Sequence, residues 1–96
     1  MESILDKVLF LLNKAEEQNC TEEEYQRIIS YSSDGADGLV VGRVFGYSVS
    51  DYAIATLKWI NKEETVSKYQ ELLKALPASR KTEVETLVER ELYKQL

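Results

Sequence analysis

The residue types that usually carry catalysis are scarce in this 96-residue chain, which contains no histidine and one cysteine, Cys20. Histidine is the usual general base near neutral pH and the commonest metal ligand. Its absence excludes Ser-His-Asp and Cys-His mechanisms and most zinc sites. Carboxylates are numerous, but exposed glutamates make poor acid–base catalysts. The sequence therefore predicts a non-enzymatic protein with no catalytic residue, no cofactor and no metal site.

An acidic cluster lies in the first quarter of the chain. Residues 1–24 hold seven acids and two bases, which accounts for the whole net charge of −5. An acidic surface repels nucleic acid and attracts a protein with a basic surface. We expect this cluster either to steer a basic partner or to be simply a solvated face; its glutamates are Glu16, Glu17, Glu22, Glu23 and Glu24.

All four glycines fall between residues 35 and 46, and Gly38, Gly42 and Gly46 are spaced four apart. A glycine at every fourth position gives a helix one face without side chains, so that another backbone can approach closely. The spacing indicates either a self-association face or a close helix crossing within one chain. No phosphate-binding glycine motif is present.

The glycine-rich segment also contains a single charge, Arg43, with tyrosines close by in sequence. Arg, Tyr and Trp dominate the energetics of protein interfaces. We therefore expect four residues to anchor a partner: Arg43, Tyr47, Asp51 and Tyr52. Two alternatives remain. The aromatic residues could fill the core while Arg43 pairs with Asp37 or Asp51, or Arg43 could bind a small ligand or a substrate with one of those carboxylates.

Three capping boxes predict where helices begin. In this motif a hydroxyl and a carboxylate three residues later satisfy free backbone amides at the helix start. The pairs are Ser3 with Asp6, Thr21 with Glu24, and Ser48 with Asp51. Apolar residues follow each pair at helical spacing. We expect helices from Ser3 to about Asn19, over residues 22–32, and over residues 49–60.

The remaining elements are also predicted to be helical. Residues 37–45 are expected to form a short helix, with a strand as the alternative because valines are frequent and glycine disfavours a helix. A further helix capped by Asn61 with Glu64 should end before Pro77, and a last one should start at Ser79 or Thr82. The fold predicted for residues 1–96 is an all-α, compact single-domain bundle of five or six short helices with a glycine-rich central segment.

The functional expectation follows from size and charge. Small acidic helical proteins without catalytic residues, such as immunity proteins and phage anti-defence inhibitors, commonly block a basic site on a partner. We predict a protein-binding module of this inhibitor type, with a structural or regulatory homo-oligomer as the alternative. The single cysteine and the lack of a signal-like N-terminus or a membrane-spanning apolar run predict a cytoplasmic protein.

Overall fold

The fold is an all-α bundle, as predicted. A computed structural model describes residues 3–34 and 43–95. The helices are α1 (Ile4–Glu17), α2 (Glu22–Tyr31), α3 (Val49–Ile60), α4 (Glu63–Lys74) and α5 (Ala78–Arg90), followed by a short 3₁₀ helix, Leu92–Gln95. No strand occurs in these two stretches. None of their helices has the length and apolar character needed to cross a membrane.

Helix α3 is the centre of the bundle. Eleven of its twelve residues are buried, which is expected of a helix that is apolar on nearly all sides. The other four helices pack around it, and the 3₁₀ helix lies against α1. The α1 residues Val8, Leu11, Leu12 and Ala15 form one face of the core, at the spacing predicted from the sequence.

The three predicted capping boxes are all present at the starts of α1, α2 and α3. The predicted cap for α4 is wrong. Asn61 instead ends α3 in a left-handed conformation with φ of 60°. The amide of Lys62 donates to the Thr65 hydroxyl at 3.1 Å at the start of α4. Helix α5 begins at Ala78, directly after Pro77, and not at Ser79 or Thr82.

The central segment differs from the prediction where it is described. Residues 37–42 of the predicted helix 37–45 lie outside the described residues, as do Gly38 and Gly42. Residues 43–45 are not helical, because Val44 and Tyr47 pair across a tight turn. Gly46 lies in that turn and not on a helix, so its role in a helical self-association face is corrected.

Candidate functional site

A tight turn projects from the start of α3. Val44 and Tyr47 exchange both backbone hydrogen bonds, with N–O distances of 2.8 and 3.1 Å. Between them Phe45 has φ of 54° and Gly46 has φ of 88°. Positive φ at both central positions is the pattern of a type I′ turn. A Cβ added to Gly46 would meet nothing within 4 Å, so glycine is needed here for its conformation and not for space.

Phe45 is the unusual residue of this turn. A left-handed conformation costs a residue with a Cβ roughly 1–2 kcal/mol, and phenylalanine lacks the short polar side chain that lets Asn or Asp tolerate it. Its side chain is also 76% exposed, more than any other large apolar side chain among the described residues. Backbone strain at an exposed position is characteristic of functional sites. Both observations single out Phe45 as a candidate contact residue.

The turn is fixed to the core by two tyrosines. The Tyr52 hydroxyl donates to the Val44 carbonyl oxygen at 2.8 Å. The rings of Tyr47 and Tyr52 meet edge to face, with centroids 6.0 Å apart. Tyr52 is fully buried and Tyr47 is nearly so. Burial raises the pKa of Tyr52 to about 12, so its hydroxyl remains a hydrogen-bond donor at neutral pH. The strained turn is therefore held by a rigid base.

Two arginines stabilise the turn, Arg43 from its own segment and Arg90 from the end of α5. Arg43 Nη1 donates to the Gly46 carbonyl oxygen at 2.9 Å and lies 3.6 Å from Glu83 Oε2. Arg90 Nη1 donates to the Tyr47 hydroxyl at 3.3 Å. Arg43 thus supports the turn from within. The predicted pairing of Arg43 with Asp51 is wrong, and its pairing with Asp37 lies outside the described residues.

Asp51 belongs to a buried network that joins three helices. Its Oδ1 lies 2.7 Å from Arg80 Nη2, and the same nitrogen donates to Ser50 Oγ at 3.0 Å. The amide of Ser50 in turn donates to the carbonyl oxygen of Asp34, beyond the end of α2, at 2.8 Å. Asp51 is fully buried. Asp51 therefore joins α3 to α5 through Arg80, and Ser50 joins α3 to the backbone that follows α2.

This burial corrects the predicted anchor set. Asp51 and Tyr52 cannot touch a partner without local unfolding, and Tyr47 offers it little surface. The alternative in which the tyrosines fill the core applies to Tyr47 and Tyr52. Sequence reasoning missed Phe45 as a site residue. The signal was the Val-Phe-Gly-Tyr sequence, whose glycine at the third position is typical of a type I′ turn.

A groove opens beside Phe45. Phe45 forms one wall, and the other lining residues are Leu12, Arg90, Leu92 and Gln95. Its volume is about 240 Å³. Small-molecule pockets usually measure roughly 300–1,000 Å³, so this groove is better suited to one or two side chains of a protein.

Exposed leucines continue the apolar surface along α1. Leu5 is 55% exposed and Leu9 is 44% exposed. Leu5, Leu9 and Leu12 lie on one side of the helix, because residues three and four apart share a face. Leu12 is buried and lines the groove. We call Phe45, Leu5, Leu9 and this groove the Phe45 face.

The predicted acidic cluster forms a corner where α1 ends and α2 begins. Lys14 Nζ lies 2.8 Å from both Glu17 Oε2 and Glu24 Oε2. These contacts raise the pKa of Lys14, and the hydrogen bond from Lys14 lowers the pKa of Glu24. Glu16, Glu22 and Glu23 are exposed. Lys14 therefore offsets part of the negative charge at this corner.

The described residues contain no group of three or more side chains arranged to hold a metal ion. No protein-family model, curated protein or solved structure matches this chain. Its function is therefore inferred from the residues of the site.

Proposed function

We propose that this chain is a non-enzymatic protein-binding module whose contact surface is the Phe45 face. The observation that carries the proposal is the state of Phe45, which combines a left-handed backbone with a side chain 76% exposed to solvent. Asparagine would occupy this turn position with less strain, and a polar side chain would suit the exposure. Phenylalanine contributes little to the fold at this position, whereas aromatic side chains are strong anchors in interfaces.

The surroundings of Phe45 support an anchoring role. Tyr47, Tyr52 and Arg43 hold the turn, so the ring is presented from a preorganised backbone. Preorganisation improves affinity because less conformational freedom is lost on binding. Leu5 and Leu9 extend the apolar surface beyond the groove. A contact surface of this kind needs no catalytic residue.

A photo-crosslinking experiment tests this proposal. The full-length chain would carry p-benzoylphenylalanine at position 45 and, in a matched control, at position 70, where the exposed Gln70 lies on α4. Both variants would be irradiated in the cells that produce the protein. We expect a discrete protein adduct from position 45 that is absent from position 70. Equal or no crosslinking from the two positions would contradict the proposal.

The acidic corner favours a second candidate function, a small inhibitor that blocks a basic site on a partner. The supporting observation is that Glu16, Glu22 and Glu23 are all exposed where α1 ends and α2 begins. Exposed like charges of this kind accelerate association with a surface of opposite charge, and salt weakens the effect. This role uses a different surface from the Phe45 face.

Salt dependence tests the inhibitor candidate. A partner would first be recovered on the tagged chain at low salt. Its association rate would then be measured with the wild type and with the triple variant Glu16→Gln, Glu22→Gln, Glu23→Gln. We expect the wild type to associate faster at low salt and the two proteins to converge at high salt. Identical association rates at low salt would exclude steering by this corner.

A further inference from the structure

We draw no further inference here: the strongest candidate, the shallow groove beside Phe45 with Arg90 in its lining, belongs to the contact surface already described, and nothing among the described residues shows what covers it.

Discussion

The Phe45 face and the acidic corner are both exposed, but they differ in what the fold requires of them. Glu22, Glu23 and Glu24 occupy the first turn of α2, where negative charge is favoured by the helix dipole, and Glu24 also completes a capping box. These glutamates are thus explained by helix formation alone. Phe45 has no such explanation, because its backbone conformation and its exposure both oppose stability. Phe45 is therefore better evidence of a contact surface than the glutamates, which the helix itself requires.

The largest expected effect concerns the buried ion pair at the start of α3, which follows the turn in the chain. Asp51→Ala would remove a buried carboxylate and leave Arg80 without its 2.7 Å partner. Breaking a buried ion pair from one side typically lowers the free energy of unfolding by about 3–5 kcal/mol. Asp6→Ala is the matched control, because Asp6 has the same place in the capping box of α1 but is exposed.

We expect the control to lose about 1 kcal/mol or less in urea denaturation. A similar loss in both variants would mean that the buried ion pair of Asp51 with Arg80 contributes little beyond helix capping.

The next effect is a pH dependence caused by Tyr52. Its pKa is about 12 in the folded protein, against about 10 for an unfolded chain. A pKa that is higher in the folded state stabilises the protein fully below pH 10, and this contribution is lost as the pH rises towards 12. Because one pKa unit corresponds to about 1.4 kcal/mol, the total is about 2–3 kcal/mol.

Tyr52→Phe should therefore flatten the decline of stability between roughly pH 10 and 12 relative to the wild type. Thermal denaturation in this range measures it. Other tyrosines and lysines titrate in both proteins, so the difference between the two profiles isolates Tyr52. Superimposable profiles would contradict a buried Tyr52 hydroxyl beneath the turn.

A smaller effect is expected at Gly46. Gly46→Ala places a Cβ on a residue with φ of 88°, where no neighbour clashes but the conformation is unfavourable. We expect a loss of about 1 kcal/mol in the free energy of unfolding. Gly46→Asn is the control, because asparagine tolerates a left-handed backbone better. Equal stability of the alanine variant and the wild type would argue against a positive φ at this position.

Most of the fold could be predicted from the sequence, because capping boxes and apolar spacing are local signals. They located the starts of α1, α2 and α3 and the core face of α1. The predicted anchors Asp51 and Tyr52 were wrong, because burial depends on tertiary packing against Arg80 and α5. Ser48 and Asp51 form the same motif as Ser3 and Asp6, and the local sequence does not reveal that only the former pair is buried.

The contact surface depends on the turn, which sequence periodicity did not predict. Residues 37–45 are mostly apolar and Gly38 and Gly42 are spaced four apart, so a helix was the simpler expectation. A turn with two positive φ values is stabilised instead, because Tyr52 donates to the Val44 carbonyl oxygen and Arg43 donates to the Gly46 carbonyl oxygen.

The smallest effect is expected at the acidic corner. The triple variant Glu16→Gln, Glu22→Gln, Glu23→Gln should lower the free energy of unfolding by about 0.5–1 kcal/mol, because all three residues are exposed and Glu22 and Glu23 lose only their favourable interaction with the dipole of α2. The contacts of Lys14 with Glu17 and Glu24 remain in place. A loss above about 1 kcal/mol in urea denaturation would show that the corner has a structural role.

The most direct test of the central claim is Phe45→Asn, measured in parallel for stability and for the recovery of a cellular protein on the tagged chain. Asn-Gly is the preferred pair for a type I′ turn, so we expect the variant to be more stable by about 1 kcal/mol and to lose the partner that the wild type recovers. Phe45→Ala, which loses the ring but keeps a strained Cβ, should also lose the partner without this gain in stability. A Phe45→Asn variant that is less stable than the wild type and recovers the same protein equally well would contradict the claim that Phe45 is present for contact.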